Sequence, residues 1–250
     1  MIIGIEGRPG SGKSYLALEQ IYQCLSRGKV VYTNMHNIFI HKVAWSIHRA
    51  TGRPRKDILS RFRPIETWEI ERVWKEKISN CEIFLDEVMT CWLSRDWSKM
   101  DRGLIEWFSQ HRKYRVNFTY IAQSIDRVDG TLRDMTQEFI TIKNFAYYRI
   151  GPFRLPQIFL AVHYTEDRKL SLKREWIIPL RKFYNFYDSW ALFQNKPPRD
   201  KSGNVVGIRA GVIGGAEDGS PVTAADMMMT RDELKKYYAA EIAKMGEAKG

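Results

Sequence analysis

The segment IIGIEGRPGSGKSYLALEQ, residues 2–20, decides the fold of this chain. Its first five residues, Ile2–Glu6, are mostly apolar and β-branched, which predicts a short buried strand. A glycine-rich turn follows, and the apolar positions of residues 13–26 then recur with helical spacing. The positions that share one helical face are Leu16, Ala17, Ile21 and Leu25. The order strand, glycine-rich turn, helix predicts an α/β domain with a phosphate-binding loop.

The turn, GRPGSGKS from Gly7 to Ser14, matches the Walker A pattern G-x-x-x-x-G-K-[ST]. Glycines let backbone N–H groups turn toward an anion without Cβ clashes, and the positive end of the following helix points at the same anion. We expect Lys13 to reach the β- and γ-phosphates and Ser14 to hold Mg²⁺, so ATP and Mg²⁺ are the predicted cofactors. The predicted nucleotide-binding residues are Gly7, Arg8, Pro9, Gly10, Ser11, Gly12, Lys13, Ser14 and Tyr15.

A second strand, CEIFLDEV at residues 81–88, ends in two carboxylates and matches the Walker B pattern. Ligands of open α/β sheets bind at the carboxyl ends of the strands, which is where Asp86 is expected. Asp86 would contribute to the same Mg²⁺ site indirectly, either through a water molecule or through the Ser14 hydroxyl. Glu87 is better placed to polarise an attacking water, which an ATP-hydrolysing motor needs and a small-molecule kinase does not. The alternative for Glu87 is a solvated charge at a strand end.

Gln123 ends the next predicted strand, VNFTYIAQ at residues 116–123. A polar side chain there faces the same crevice and could sense the γ-phosphate or orient the water, the alternative being a simple loop contact. P-loop sites often need a cation from a neighbouring subunit. Arginines that could act in this way stand before the strand, at Arg112 and Arg115, and after it, at Arg127 and Arg133. For each of them, a surface or DNA-facing charge is the alternative.

Strands and helices continue to alternate up to residue 145. Apolar runs predict strands at residues 29–34 and 138–145, and an amphipathic helix at residues 102–114. Residues 38–80 have a mixed, mainly helical pattern. Together with the Walker A loop, this alternation predicts an α/β fold of the P-loop NTPase class, with a mainly parallel sheet and helices on both faces.

Beyond residue 145 the pattern changes to two-residue alternation interrupted by turn residues, which predicts β-hairpins. Residues 196–229 are rich in Gly and Pro and predict a linker or loop. Thr230 and Glu233 fit a capping box, so a C-terminal helix is expected at residues 230–250. The domain hypothesis is an ATPase domain at residues 1–195, including a β-rich addition at 146–195, followed by the linker and the helix.

The chain is strongly basic, with 40 Lys and Arg against 29 Asp and Glu, a net charge of +11 and a pI near 9.5. An enzyme for small neutral substrates has no need of that excess, whereas a polyphosphate partner or an anionic membrane surface explains it. An unspecific basic surface is the alternative. The N-terminal apolar run stops at Glu6, which argues against a signal peptide. No stretch reaches about 18 uninterrupted apolar residues, so no transmembrane segment is expected.

Basic residues concentrate in two segments. Residues 41–63 hold seven Lys or Arg against one acid, and residues 143–182 hold nine against three. Phosphate neutralisation combined with base stacking suits a single-strand channel with low sequence preference, so DNA is the predicted partner. The alternative is a solvated charged face over an aromatic core, and most aromatics of the second segment are predicted to be core. These aromatics are Phe145, Tyr147, Tyr148, Phe153, Phe159, Tyr164 and Trp176.

Four segments together resemble the zonular occludens toxin (Zot) family: GRPGSGKS, FLDE, QHRKYRVNFTYIAQSIDRVDGTLR and RKFYNFYDSW. That family includes the assembly ATPase, protein I, of filamentous bacteriophages, and belongs to the wider FtsK/HerA group of DNA-pumping P-loop ATPases. The resemblance covers about residues 1–195. In the family, a segment with histidine and arginine precedes a strand that ends in glutamine. His111, Arg112 and Gln123 occupy those places, and the expected catalytic set is Lys13, Asp86, Glu87, Gln123 and Arg112.

The resemblance implies a RecA/FtsK-like core and an ATP-hydrolysing motor that packages or translocates viral DNA, expected to be single-stranded, during virion assembly. It also implies a homo-oligomeric ring and viral coat or membrane assembly proteins as partners. The expected location is the host cytoplasm, peripheral at the inner membrane or at a capsid vertex. Filamentous-phage members continue into a membrane-spanning helix, whereas this chain continues into the Gly-rich segment. A truncated form remains one explanation, and a motor that docks on a capsid or on a separate membrane protein remains the other.

Two other functions fit parts of the pattern. An ATP-switched assembly or secretion scaffold would bind ATP, hydrolyse it slowly and recruit partners without translocating DNA. A small-molecule or nucleotide kinase would need an arginine-rich lid and an acceptor pocket, and the basic hairpins do not have the pattern of a lid.

Overall fold

The computed structural model describes residues 1–66, 75–88, 102–150 and 153–187. The chain divides into two units, Met1–Lys196 and Pro197–Gly250, and every described residue lies in the first. The predicted linker at 196–229 and the predicted helix at 230–250 lie outside the described residues. No helix within the described ranges is both long and apolar enough to cross a membrane.

Ten strands and six α-helices make up the described part of the chain. The strands are β1 Ile2–Glu6, β2 Val30–Thr33, β3 Phe62–Pro64, β4 Cys81–Leu85, β5 Val116–Ala122, β6 Glu138–Asn144, β7 Arg149–Ile150, β8 Phe153–Arg154, β9 Phe159–Thr165 and β10 Ser171–Ile177. The helices are α1 Lys13–Ser26, α2 Ile40–Thr51, α3 Arg55–Arg61, α4 Arg102–Ser109, α5 Gly130–Asp134 and α6 Arg181–Tyr184.

Eight of these strands form one sheet in the order β10-β9-β6-β1-β5-β4-β2-β3. The six strands from β6 to β3 in this order pair in parallel, and β9 and β10 add an antiparallel edge beside β6. The short strands β7 and β8 form a separate hairpin. The predicted mainly parallel sheet, followed by hairpin additions, is therefore confirmed. The β9–β10 hairpin extends the main sheet.

Helices cover both faces of the sheet, as predicted. One face packs against α1, α2, α3 and α6 in a core that includes Leu18, Ile47, Ile58 and Phe183. The opposite face packs against α4 and α5 in a second core that includes Phe108, Phe118 and Leu132. The central strands are buried on both sides, so their side chains form near-continuous apolar runs.

Several predicted boundaries differ from the observed ones by one to five residues, and one observed strand was not predicted. Strand β5 stops at Ala122, which leaves Gln123 just beyond the strand. Helix α4 stops at Ser109, because the chain then turns and Arg115 takes a left-handed conformation with φ of 54°. Strand β3 lies within the segment that was predicted to be mixed and mainly helical, since three residues are too few to show a strand period.

Candidate nucleotide-binding site

The loop between β1 and α1, residues 7–14, has a backbone shape that requires glycine at several of its positions. Gly10 and Gly12 have φ of 73° and 104°, in the left-handed region that side chains rarely adopt. A Cβ atom at Gly12 would lie 2.8 Å from the ring of Phe159, and a Cβ at Gly7 would lie 2.7 Å from the Ile142 carbonyl oxygen. This phosphate loop is therefore packed too closely against β6 and β9 to carry side chains at these positions.

The start of α1 presents the positive groups of the site. The Gly12 carbonyl accepts the N–H of Leu16 at 3.0 Å, so the N–H groups of the first turn lack acceptors within the helix. The Lys13 ammonium donates to the carbonyl oxygens of Gly7 at 2.8 Å and Arg8 at 3.1 Å. Burial lowers the pKa of Lys13, and the carboxylates of Asp86 and Glu87 oppose that shift. The Lys13 ammonium and the N–H groups at the start of α1 together form a positive site that can bind an anion.

The two halves of the predicted site meet through one side-chain contact. The Ser14 hydroxyl donates to Asp86 Oδ2 at 3.2 Å across 72 residues of sequence. Asp86 follows the last residue of β4 and is only 5% exposed. Burial raises the pKa of Asp86 to about 6, while hydrogen bonds from the Glu87 N–H and from Ser14 favour its charged form. The structure therefore brings together the two residues predicted to hold Mg²⁺.

Asn34 is a residue of this site that was not among the predictions. It follows β2, is 1% exposed, and accepts the backbone N–H of Asp86 at 2.7 Å. Its Nδ2 donates to the Asp86 carbonyl oxygen at 2.9 Å. This two-point contact fixes the backbone that carries the carboxylate. A polar residue directly after a strand, at the same sheet edge as Asp86, was the signal that could have found it.

Glu87 and Gln123 both lie at the carboxyl edge of the sheet, and their predicted roles stay predictions. Glu87 is exposed, has φ of 48°, and donates its N–H to Asp86 Oδ1 at 2.8 Å. Gln123 is exposed directly after β5. Strand β5 pairs with β1 on one side and with β4 on the other, so Gln123 stands between the phosphate loop and Asp86. Both polar side chains therefore border the crevice at the carboxyl edge of the sheet.

Arg112 lies at the other edge of the sheet. It precedes β5, whose seven residues span about 20 Å. Arg112 is exposed and lines a cavity of about 460 Å³ with Arg115, Lys29 and Glu82, at the amino ends of the strands. Contact between Arg112 and the phosphate loop of its own subunit is ruled out by this position. Arg127 and Arg133, which follow β5, lie at the carboxyl edge.

The side chain of Tyr15, one of the predicted nucleotide-binding residues, packs in the core. Its ring lies 5.5 Å from Phe159 and 5.5 Å from Phe183, between centroids, and its hydroxyl accepts the N–H of Leu180 at 3.0 Å. Only the backbone N–H of Tyr15, in the first turn of α1, remains directed toward the site. Arg8 and Pro9, by contrast, are exposed at the loop surface.

The residues at this site fit a nucleoside triphosphate with Mg²⁺. The glycine turn, the free N–H groups and Lys13 provide donors and positive charge for phosphate oxygens. Ser14 and Asp86 provide the hydroxyl and carboxylate oxygens that hard cations prefer. The donor set and the loop shape thus agree with the predicted cofactors.

The aromatic residues of the second basic segment are mostly at the surface, which corrects the prediction that most of them are core. Phe159 is buried, and Phe145 and Tyr164 are half-buried. The others are exposed: Tyr147, Tyr148, Phe153 and Trp176. Trp176 is exposed on β10, the edge strand of the sheet, whereas Tyr147, Tyr148 and Phe153 lie outside that sheet, in the turn after β6 and in the β7–β8 hairpin.

In the first basic segment, several cations have partners within the protein. Arg53 and Arg61 both bind Asp57, at 3.0 Å and 2.9 Å, and Arg61 also donates to the Gly28 carbonyl oxygen. The guanidinium of Arg49 lies over the Trp45 ring at 4.7 Å. These contacts tie the charges to the packing of α2 and α3, and binding of DNA by this segment stays a prediction.

The protein has a glycine-rich loop between β1 and α1 and a carboxylate at the end of β4, and β5 lies between β1 and β4 in the sheet. This arrangement defines a P-loop NTPase. Within that class, the chain belongs to the zonular occludens toxin (Zot) family, whose model matches residues 1–167. The predicted family is therefore confirmed, while the wider grouping with FtsK/HerA motors stays a prediction.

Relatives in sequence and in structure agree with this assignment. The chain is 26% identical over 211 residues to the Gene 1 protein of Enterobacteria phage I2-2, and 25% identical over 211 residues to that of Salmonella phage IKe. Each match covers 76% of this chain and 56% of the relative, so the chain spans about half the length of these relatives. The N-terminal domain of zonular occludens toxin from Neisseria meningitidis has a similar fold, with a TM-score of 0.50 and 14% identity. That match covers 75% of this chain and 98% of the domain.

Proposed function

We propose that the chain is an ATP-hydrolysing motor that packages or translocates viral, single-stranded DNA during virion assembly. The observation that carries the proposal is the 3.2 Å contact between Ser14 and Asp86, with Glu87 exposed beside it. This contact joins a phosphate loop to a carboxylate pair at one sheet edge. A loop that only binds a nucleotide needs no exposed glutamate next to the metal-binding carboxylate.

Each residue of the site has a separate role in hydrolysis. Lys13 exchanges the carbonyl oxygens of Gly7 and Arg8 for phosphate oxygens of the nucleotide. Ser14 and Asp86 would hold Mg²⁺, which would supply positive charge against the phosphate oxygens. Glu87 orients a water molecule and accepts its proton, and Gln123 hydrogen-bonds the same water or the γ-phosphate. Asn34 keeps the backbone of Asp86 in place.

The motor works as a homo-oligomeric ring in which an arginine completes the site of a neighbour. Arg112 can act only on another subunit, because about 20 Å of strand separates it from its own phosphate loop. Arg127 and Arg133 lie at the carboxyl edge and are the other candidates. Size measurement with ATP and Mg²⁺ tests the ring, and a strict monomer under all conditions would contradict it.

The partners of the motor are DNA, read with low sequence preference, and viral coat or membrane assembly proteins. The net charge of +11 supports a polyanionic substrate. The motor acts in the host cytoplasm, either peripheral at the inner membrane or at a capsid vertex. These assignments rest on family membership together with charge, and each can be tested by co-purification with the labelled partner.

The decisive experiment is the ATPase rate with and without single- and double-stranded DNA, in the wild type and in Glu87→Gln. A motor is stimulated by DNA, and Glu87→Gln binds ATP but loses hydrolysis by a factor of about 10² to 10⁴. Glu106→Gln, which changes an exposed carboxylate on α4, is the matched control and keeps the wild-type rate. Negligible hydrolysis that DNA does not change would instead favour the ATP-switched scaffold.

A further inference from the structure

One face of the sheet edge carries exposed rings and cations side by side. Cross-strand register places Lys143 opposite Leu160, and Leu160 opposite Trp176, so the three side chains share a face. Phe145 follows β6, and its ring centroid lies 5.1 Å from Trp176 and 5.4 Å from Tyr148. We call this surface the aromatic–basic face, and its members are Lys143, Phe145, Tyr148, Arg174 and Trp176.

The aromatic–basic face is accessible and positively charged. Trp176 is 60% exposed and Tyr148 is 54% exposed. Lys143 and Arg174 are also exposed, and Arg174 stands two residues before Trp176 on the same side of β10. Flat apolar rings beside cations fit a partner that has both flat apolar groups and negative charge. Single-stranded nucleic acid has both, whereas the bases of a duplex are already stacked on one another.

Asn144 connects this face to the phosphate loop. It lies between Lys143 and Phe145, and strand alternation turns it to the other side, where it is 7% exposed. Its Nδ2 donates to the Gly10 carbonyl oxygen at 3.0 Å, and its Oδ1 accepts the N–H of Ala146 at 2.9 Å. One side chain therefore holds both the tip of the phosphate loop and the turn that carries the rings.

The Asn144 contact fixes the orientation of one peptide group in the loop. The carbonyl of Gly10 and the N–H of Ser11 belong to the same planar peptide and point in opposite directions. While Asn144 holds the carbonyl, the Ser11 N–H donates to the Arg8 carbonyl oxygen at 3.0 Å. Tyr147 touches the same point, since a Cβ atom at Gly10 would lie 2.1 Å from its hydroxyl. The segment at 144–148 thus approaches the loop tip at two points, through Asn144 and through Tyr147.

Resting on the proposed function, we propose that the aromatic–basic face binds single-stranded nucleic acid and that Asn144 couples this binding to the phosphate loop. Bases stack on Phe145, Tyr148 and Trp176, and Lys143 and Arg174 contact the phosphates. An occupant that orders the turn at 145–148 also orders the peptide between Gly10 and Ser11, which is part of the cradle for the nucleotide. Binding at one site therefore changes the affinity or rate at the other, as coupling requires.

The first test measures binding by fluorescence anisotropy with a labelled thymidine oligonucleotide of about 20 nucleotides and a duplex of the same length. Trp176→Ala is expected to bind the single strand about tenfold more weakly than the wild type, since one stacked base is lost. Tyr184→Ala, which removes an exposed aromatic ring on α6 outside both basic segments, is the matched control and keeps wild-type affinity. Unchanged affinity in Trp176→Ala, or tighter binding of the duplex, overturns the assignment of the face.

The second test measures kcat and KM for ATP with and without the oligonucleotide in Asn144→Asp. This variant keeps an acceptor for the Ala146 N–H and loses the donor to Gly10. It is expected to bind the oligonucleotide within about twofold of the wild type but to lose the stimulation of kcat. Asn144→Ser, whose side chain can cap the turn but is too short to reach Gly10, gives the same result if coupling runs through Asn144.

Full stimulation in both variants overturns the coupling role of Asn144. A purely structural role would lower the melting temperature and the unstimulated rate together, and would leave the ratio of stimulated to unstimulated kcat unchanged. Failure of this inference is distinguishable from failure of the proposed function. If the wild type is stimulated by DNA while the Trp176 and Asn144 variants behave like it, the motor stands and the inference falls.

Discussion

Asn34 and Asp86 exchange two hydrogen bonds, one in each direction, between the Asn34 side chain and the Asp86 backbone. The Asp86 N–H donates to Asn34 Oδ1 at 2.7 Å, and Asn34 Nδ2 donates to the Asp86 carbonyl oxygen at 2.9 Å. Both residues are buried. The Asn34 side chain therefore extends the hydrogen bonding between β2 and β4 beyond the ends of both strands and supports the backbone that carries the Asp86 carboxylate.

Asn34→Ala is expected to destabilise the protein by about 2–4 kcal/mol, because two buried backbone groups lose their partners. The variant should also lose ATPase activity, since the Asp86 carboxylate is no longer held in place. Urea denaturation and the hydrolysis rate measure the two effects. Asn185→Ala, at an exposed asparagine, is the control and should change stability by less than about 0.5 kcal/mol. Equal stability of the two variants would show that the paired hydrogen bonds contribute nothing.

Gly12→Ala is expected to lower ATP affinity at least about tenfold and to destabilise the fold by about 3 kcal/mol. Both strain at φ of 104° and a clash with the Phe159 ring cause this loss. Gly52→Ala is a matched control, because Gly52 has φ of 73° but open space around it. It should cost about 1 kcal/mol and leave ATP binding intact. Calorimetric ATP binding would decide, and equal effects of the two substitutions would refute the steric argument.

The contribution of His111 to stability is expected to fall when the pH drops below about 6.5. Burial lowers the pKa of His111, and the N-terminal ammonium and Arg112 lower it further, although the hydrogen bond to the Phe108 carbonyl opposes them. The unfolded chain then binds a proton at a higher pH than the folded chain, so the folded state loses stability as the pH falls through that window. His111→Asn keeps a donor for Phe108 and should flatten this part of the pH dependence of urea midpoints. Identical slopes in both proteins would contradict the prediction.

Cys81 is expected to resist alkylation in the folded protein. Burial raises the pKa of Cys81 to about 12 and that of the half-buried Cys24 to about 11, so the reactive thiolate is scarce at pH 8. Iodoacetamide labelling followed by peptide mass mapping should show little modification of either thiol in buffer and complete modification in urea. Rapid labelling of Cys81 in buffer would mean that the amino end of β4 opens readily.

The elements nearest the opening segment could be predicted from sequence to the residue. The bounds of β1 and α1 agree with the apolar pattern because the glycine-rich turn ends one element and starts the next. The meeting of Ser14 with Asp86 could also be predicted, since carboxyl ends of parallel strands share an edge. Local pattern and one topological rule were sufficient for these residues.

Features that depend on which strands are neighbours could not be predicted in this way. Asn34 reaches Asp86 only because β2 pairs with β4, and the order of strands is not encoded in any single segment. The exposure of Trp176 likewise depends on β10 being the last strand of the sheet. By contrast, the place of Arg112 before β5 in the sequence was enough to put it at the amino edge of the sheet, because the amino and carboxyl ends of a strand lie at opposite edges.

Strand β5 sets the distance between the two strands that carry the nucleotide site. It pairs with both β1 and β4, so two interstrand spacings of about 4.8 Å set the carboxyl ends of β1 and β4, which carry the phosphate loop and Asp86, roughly 10 Å apart. Backbone hydrogen bonds fix this width, and side-chain substitutions do not alter it. Point mutations can therefore change the chemistry of the site, whereas a different distance between the ends of β1 and β4 would require the gain or loss of a whole strand.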